Sequence, residues 1–172
     1  MKIKPARFVA RILPALALIP AVVFAGPAKW TVLIYGHADH SLTTAMRSDL
    51  LEMERAGSSD DFKIVVQVDI NTKIAAKWFW DFKYKIDPKK FKGVKRLLIE
   101  KDTGNLSYFN STILESESLS EDHNMDDPAV LQAFIEWGMA RYPAERYGLV
   151  LWNHGNQFVG YGGDTQEGTL DH

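Results

Sequence analysis

A strand–helix–strand pattern near the start of the chain limits the possible folds more than any other feature. Residues 30–35 and 62–68 are rich in β-branched and aromatic side chains, which favour β-strands. Between them a helix is predicted to start at Ser41 or Thr43 and to end at Gly57 as a left-handed cap. Its apolar stripe has spacings of four, four and three: Leu42, Met46, Leu50 and Met53. Such a unit is right-handed by default and predicts the α/β class.

The same alternation of helix and strand returns in the second half of the chain. Asp127 is a predicted helix N-cap with Pro128 at the first helical position, and Tyr142-Pro143 ends this helix. The short apolar run 149–152 then predicts a buried strand of a parallel sheet. The buried face of the helix is predicted to hold five residues: Val130, Leu131, Phe134, Ile135 and Met139.

The middle of the chain is less regular. Residues 94–99 predict another strand, residues 102–105 a hairpin turn, and residues 106–109 a returning strand. Aromatic residues alternate with mostly charged ones over 78–84, which indicates a strand or hairpin with one aromatic face covering an edge of the core. Two other interpretations stay open for that face, a peptide-binding platform or a membrane-surface patch. Four lysines nearby support them: Lys85, Lys89, Lys90 and Lys92.

A polar turn, Asn153-His154-Gly155, follows the run 149–152. Ligands and catalytic groups gather at the carboxyl ends of strands in open α/β sheets. The His154 imidazole can move a proton near neutral pH, and Gly155 lets its backbone N–H approach a substrate carbonyl. The pattern therefore indicates acyl-transfer chemistry, although a histidine that only caps a turn gives the same sequence.

A second polar turn, His37-Ala38-Asp39-His40, follows the first strand. Two imidazoles and a carboxylate could ligate a metal ion, but further ligands are not evident in the sequence. Polar residues are also expected wherever a strand turns into a helix. We therefore predict a structural turn and no metal site.

The first 25 residues have the pattern of an export signal. An apolar segment of 13 residues, 12–24, is too short to cross a bilayer comfortably, and Pro14 and Pro20 argue against an uncleaved anchor. We expect residues 1–25 to be a signal peptide and the mature chain to be secreted or periplasmic, without membrane contact after signal removal. The basic residues of the signal are Lys2, Lys4, Arg7 and Arg11.

The net charge argues against one class of partner, and the composition excludes one type of nucleophile. Without the four basic residues of the signal, 16 basic and 22 acidic side chains remain, a net charge of -6 that argues against nucleic acid as a partner. The chain contains no cysteine, so it has neither disulfides nor a thiol nucleophile of its own.

Five segments together resemble the clostripain family of cysteine endopeptidases. They are 30–35, 49–54, 65–69, 125–137 and 142–155, the last containing Tyr-Pro-Ala and Leu-Trp-Asn-His-Gly. Asp39 and Leu42 also match the family's opening pattern. The resemblance implies a caspase-like three-layer sandwich with a mostly parallel central sheet.

The resemblance also implies site residues and a substrate. His154 would be the base and acid beside a thiolate, the Gly155 N–H would hold the oxyanion, and Asp39 would be a supporting residue. Family members act on peptides or proteins and cut after Arg or Lys, and some mature by self-cleavage. No cofactor follows from the residues themselves. Calcium is a candidate, because some members depend on it or respond to it.

The nucleophilic cysteine of this family follows the histidine by a few tens of residues, on the next strand. We therefore expect residues 26–172 to be the N-terminal part of one peptidase domain, whose missing C-terminal part carries the cysteine, and whose sheet is incomplete at the C-terminus. A truncated gene, a processed chain without its partner and an inactive remnant are the explanations, of which truncation is favoured. The chain alone is predicted to be inactive.

Two other classes of function remain. One is a non-catalytic, secreted binding module. The other is a hydrolase with a hydroxyl nucleophile, for which Ser41, Thr43 or Thr165 would have to approach His154. The second is the weakest, because the chain lacks a Gly-x-Ser-x-Gly motif.

Overall fold

The computed structural model describes residues 26–78, 87–104, 108–119 and 123–155. The predicted signal peptide, the aromatic stretch 79–84 and residues 156–172 lie outside the described residues. Among the described helices, none combines the length and the apolar character that a membrane crossing requires.

The described residues form one sheet, with strands β1 (Ala28–Ala38), β2 (Phe62–Ile70), β3 (Lys95–Leu98), β4 (Thr112–Ile113) and β5 (Ala144–Trp152). The helices are α1 (Thr43–Ala56), α2 (Thr72–Trp78) and α3 (Pro128–Arg141), with 3-10 turns at Pro88–Phe91 and Glu115–Glu117. The strand order is β4-β3-β2-β1-β5. Strands β2, β1 and β5 are parallel, while β3 and β4 run antiparallel to their neighbours. The α/β prediction is confirmed, and the sheet is mixed.

Helices cover both faces of the sheet because β1 and β2 are apolar on both sides. Successive side chains of a strand point to opposite faces. Ile34 therefore lies in one cluster with Met46 and Leu50 of α1. Leu33 lies in the other cluster with Phe134 of α3. The result is a three-layer arrangement with the sheet in the middle.

The first helix begins and ends close to where the sequence predicts. It starts at Thr43, and Gly57 follows its last turn with a φ of 63° while its N–H donates to the Met53 carbonyl. A side chain at position 57 would also overlap the backbone of Lys101. Both the backbone conformation and the lack of space therefore favour glycine at position 57.

Replacing Gly57 with alanine is expected to lower the free energy of unfolding by about 1–3 kcal/mol, because a backbone with a φ of 63° and a ψ of 171° is strained for alanine and Lys101 must also move. Gly155→Ala is the matched control, since a Cβ there has open space and no positive φ. Urea denaturation of both variants measures the difference. Equal stability of the two variants would contradict this account of Gly57.

The third helix is capped as predicted, and its predicted buried face is confirmed in part: one of the five residues is buried, three are half-buried and one is exposed. The Asp127 carboxylate accepts from the Ala129 N–H at 2.8 Å, and Phe134 is fully buried. Met139 is instead exposed. The helix approaches the sheet most closely at Gly138, where an added Cβ would lie 2.6 Å from a methyl carbon of Leu33. That contact turns the next residue, Met139, away from the sheet.

A buried arginine links α3 to the sheet. The Arg96 Nε donates to Gln67 Oε1 at 2.9 Å, and its guanidinium lies 4.4 Å from the centre of the Trp137 ring. Burial lowers the pKa of Arg96, and the nearby Glu117 carboxylate opposes that shift. Glu117 also accepts from the Trp137 indole N–H at 2.6 Å. This network satisfies a charge that would otherwise be costly to bury.

Predictions for the middle of the chain are confirmed only in part. Strand β3 lies within the predicted range 94–99, and the Asp102 carboxylate accepts from the Gly104 N–H in the predicted turn. The partner of β3 is Thr112–Ile113, which begins after the predicted return at 106–109. Trp78 ends a helix, so the strand predicted from 78 onward is wrong at that residue.

The run 149–152 is predicted to be a buried strand of a parallel sheet. The parallel pairing is confirmed, and the predicted burial is wrong. Strand β5 pairs in parallel with β1, and within the described sheet it has no strand on its other side. Leu149, Val150 and Leu151 are 46%, 41% and 43% exposed. A continuous apolar run is typical of a strand that is covered on both faces, and the exposure of these side chains shows that the faces of β5 are only partly covered.

Candidate active site

The carboxyl ends of β1 and β5 lie side by side. The two strands are parallel neighbours, and Gly36 of β1 is paired with Trp152, the last residue of β5. The turn after β1 and the turn after β5 therefore emerge at the same edge of the sheet. This is the edge where parallel α/β sheets hold their ligands.

The His154 imidazole lies against the turn that follows β1. Its ring stacks on the His40 ring, with centroids 5.1 Å apart and an angle of 27° between the planes. Its Nε2 is 3.5 Å from the Ser41 hydroxyl oxygen. The side chain of His154 is otherwise exposed, and its backbone N–H donates to Asn153 Oδ1 at 2.5 Å. The imidazole is thus supported on one side and accessible on the other.

Hydrogen bonds fix the turn beneath this imidazole. The His40 Nδ1 accepts from the Leu42 N–H at 3.2 Å, and the His40 carbonyl accepts from the Thr43 N–H at 3.0 Å. The Thr43 hydroxyl donates to the Ala38 carbonyl and accepts from the Asn71 N–H. Because Nδ1 of His40 is an acceptor, its neutral ring carries the proton on Nε2.

The end of β5 is attached to α1 by one further hydrogen bond. The Trp152 indole N–H donates to Asp49 Oδ2 at 2.8 Å. Since Trp152 precedes His154 by two residues, this bond limits how far the second turn can move from the first.

The predicted residues of the first turn do not all face His154. His37 belongs to β1, is buried, and places Nδ1 3.4 Å from Asp126 Oδ1 beside the start of α3. Asp39 is 3% exposed. The two residues after Asp39, His40 and Ser41, are the ones that contact the imidazole.

The candidate hydroxyl nucleophiles have different surroundings. Ser41 approaches His154, as described above. Thr43 is buried and engaged with Ala38 and Asn71. Thr165 lies outside the described residues.

Gly155 leaves free space beside the imidazole. A Cβ built at this position meets no atom within 4 Å, and its φ is not in the positive range. Neither the backbone nor a neighbouring side chain therefore requires glycine here.

The family of the chain follows from a comparison with known proteins. The model of the clostripain family matches residues 34–169, which includes both turns of the site. The chain belongs to the clostripain family. A curated relative, clostripain from Hathewaya histolytica, is 26% identical over 129 residues. That match covers 74% of this chain and 23% of the relative, so the chain spans about a quarter of its length.

Solved structures of cysteine proteases have the same fold. A B. fragilis cysteine protease matches with a TM-score of 0.55 and 21% identity, over 80% of this chain and 98% of that chain. A Bacteroides thetaiotaomicron clostripain bound to a peptide inhibitor matches with a TM-score of 0.55 and 13% identity, over 78% of this chain and 97% of that chain. A secreted cysteine protease from the same species, bound to an irreversible peptide inhibitor, matches with a TM-score of 0.51 and 19% identity. That match covers 78% of this chain and 32% of the other. The predicted caspase-like fold is confirmed.

Proposed function

We propose that His154 is the general base and acid of a clostripain-type cysteine endopeptidase, and that polypeptide beyond residue 172 supplies the thiol. Membership of a family that contains cysteine proteases supports the reaction type. The position of an accessible imidazole at the carboxyl edge of the parallel strands supports the role of His154. The 172 residues contain no cysteine, which supports a nucleophile supplied from outside them.

The exposed edge of β5 is the observation that carries this proposal. Its three apolar residues 149–151 are 41–46% exposed, on both faces of the strand. A further parallel strand beside β5 would pair with its free backbone groups and reduce this exposure. The carboxyl end of such a strand would reach the same sheet edge as His154, which is where a cysteine must lie to exchange a proton with the imidazole.

The chemistry follows from these positions. The imidazole of His154 takes the proton of the thiol, and the thiolate attacks the scissile carbonyl carbon. The Gly155 N–H donates to the carbonyl oxygen as it becomes negative. His154 then gives its proton to the leaving amine, and a water molecule, deprotonated by the same imidazole, hydrolyses the thioester. Asp39 is assigned a supporting role in the turn, where it precedes His40 and Ser41, the two residues that contact His154.

The proposal also includes a substrate class, a cellular compartment and a possible calcium dependence. Peptides cut after Arg or Lys are the proposed substrates, as the clostripain family implies. Export through a signal peptide at residues 1–25 is supported by the similarity to a secreted cysteine protease of Bacteroides thetaiotaomicron. Calcium is proposed from the family resemblance alone; among the described residues, no group of three or more His, Cys, Asp or Glu side chains is placed to hold a metal ion.

Cleavage of defined peptides tests the proposal. The product of the gene's reading frame through and beyond codon 172 is incubated with peptides that differ only at one position, occupied by Arg, Lys, Gln or Asp. We expect cleavage after Arg and Lys alone, identified by mass spectrometry of the products. A reading frame that closes at codon 172, or cleavage independent of the basic residue, would contradict the proposal.

One observation favours a second candidate, a hydrolase in which Ser41 is the nucleophile. Its hydroxyl oxygen lies 3.5 Å from Nε2 of His154, which is a loose version of a serine–histidine pair. The isolated 172-residue chain separates the two candidates, because it has the serine and no thiol. We expect this chain not to hydrolyse Arg or Lys esters. Hydrolysis that disappears in Ser41→Ala would favour the serine.

A further inference from the structure

Two contacts at the site are not needed for the chemistry described above. His40 stacks on the His154 ring, and Ser41 lies against its Nε2. Both residues belong to the turn after β1, while His154 follows β5. An exposed histidine on a turn would otherwise rotate among several side-chain rotamers, most of which would not face a nucleophile.

We propose that His40 and Ser41 are positioning residues, which fix the His154 ring so that Nδ1 is the nitrogen presented to the thiol. This inference rests on the proposed function for its purpose, although the arrangement of the three side chains can be measured without a thiol. It assigns the two residues a role that differs from metal binding and from nucleophilic attack.

His40 acts as a rigid platform. Its Nδ1 accepts from the Leu42 N–H, and its own backbone carbonyl accepts from the Thr43 N–H, so the ring and its backbone are both held by the start of α1. Since an accepting Nδ1 carries no proton, the platform is a neutral imidazole. Offset stacking on a neutral ring restrains the plane of His154 and leaves both of its nitrogens free to form hydrogen bonds.

Ser41 decides which nitrogen remains available. The Ser41 hydroxyl can either donate to Nε2 of His154 or accept from it; in the proposed arrangement Nε2–H donates to the Ser41 oxygen, which leaves the lone pair of the neutral ring on Nδ1. The thiol proton then moves to Nδ1, and the Nε2–H bond to Ser41 stays in place throughout the transfer. The hydroxyl oxygen also faces the positive imidazolium with its own lone pairs, which stabilises the protonated ring.

Nitrogen NMR of the isolated chain tests the arrangement directly. In the chain labelled with ¹⁵N and ¹³C in histidine, long-range proton–nitrogen correlations identify the protonated nitrogen of neutral His154. We expect Nε2 to carry the proton, with its shift moved by the hydrogen bond. Ser41→Ala should remove that shift change, and Ser41→Thr, which keeps the hydroxyl, should restore it. A proton on Nδ1, or identical spectra for all three proteins, would overturn the role of Ser41.

Ring dynamics test the platform. On the scale where rigid groups have order parameters near about 0.85 and flexible groups lie below about 0.6, we expect the His154 ring to move from the first range to the second in His40→Ala. His40→Phe keeps an aromatic ring and should keep the ring of His154 rigid. Equal order parameters in the alanine and phenylalanine variants would overturn the role of His40.

Kinetics separate this inference from the proposed function. In the active protease, His40→Ala should reduce kcat about tenfold or more with KM little changed, and His40→Phe should recover most of kcat. A protease that is unaffected by His40→Ala refutes the positioning role and leaves the peptidase assignment intact. An inactive gene product with the expected NMR spectra refutes the peptidase assignment and leaves the geometry intact.

Discussion

Replacing His154 with alanine is expected to reduce kcat/KM for an Arg or Lys peptide by about 10²–10⁴-fold, the range that general acid–base catalysis supplies. In the proposed mechanism the imidazole both activates the thiol and protonates the leaving amine, so its removal affects both steps. The fold should be unaffected, because the side chain is exposed and surface substitutions change stability by less than about 0.5 kcal/mol.

A control on the same strand makes this result specific. Glu145 is exposed at the amino end of β5, while His154 follows its carboxyl end, so Glu145→Ala alters the same element far from the site. Its kcat/KM should equal that of the unmodified protein. A His154→Ala protein that melts normally and retains full activity would remove His154 from the mechanism.

Replacing Glu54 with alanine is expected to lower the free energy of unfolding by about 2–5 kcal/mol. The Glu54 carboxylate is 1% exposed, and its Oε1 accepts from the backbone N–H of Asn110, the N–H of Ser111 and the Ser111 hydroxyl. These bonds attach α1 to the segment that leads into β4. Without the carboxylate, the two buried donors of Ser111 and the part-buried N–H of Asn110 lose their partner, and each buried donor left unsatisfied costs about 1–3 kcal/mol.

Two variants show whether the hydrogen bonds are responsible. Glu52→Ala removes the same type of side chain from the exposed face of α1 and should change stability by less than about 0.5 kcal/mol. Glu54→Gln keeps an accepting oxygen and should lose less stability than Glu54→Ala. Urea denaturation of the three proteins gives the order. If Glu52→Ala and Glu54→Ala are equally stable, the Glu54 network does not stabilise the fold.

Much of the fold could be predicted from local patterns, because those patterns describe contacts made within one element. The apolar stripe of α1, the Asp127 cap of α3 and the β-branched runs of β1 and β2 are of this kind. The exposure of β5 could not be predicted from its own residues, although the resemblance, which places the next strand beyond residue 172, predicts an incomplete sheet. Its apolar sequence suits a strand with two neighbours, and only the topology shows that the described sheet stops there.

The location of the site could be predicted from the sequence, but the residues that contact His154 could not. The polar turn after an apolar run predicts His154 at the sheet edge, whereas the predicted first strand, 30–35, stops before Gly36. In fact β1 continues to Ala38. Gly36 allows close packing of α1, since a Cβ there would lie 2.6 Å from Met46 Cε. The two additional strand residues advance the turn, so that His40 and Ser41, rather than Asp39, reach the imidazole.

Sequence signals for these two contacts existed but were assigned to other chemistry. His40 was part of the possible metal cluster, and Ser41 was a possible nucleophile. Both suggestions follow from residue type alone. Which side chain meets His154 depends on the pairing of β1 with β5, two strands that are separated by more than 100 residues in the chain.

The attachment site of a peptide acyloxymethyl ketone ending in lysine is the most direct measurement of the His154–thiol pair. The protease is inactivated with this reagent, digested, and analysed by mass spectrometry to find the modified residue. We predict a single thioether on a cysteine beyond residue 172, and no modification in His154→Ala. Modification of Ser41, or of any other residue within the 172, would contradict the pairing of His154 with an external thiol.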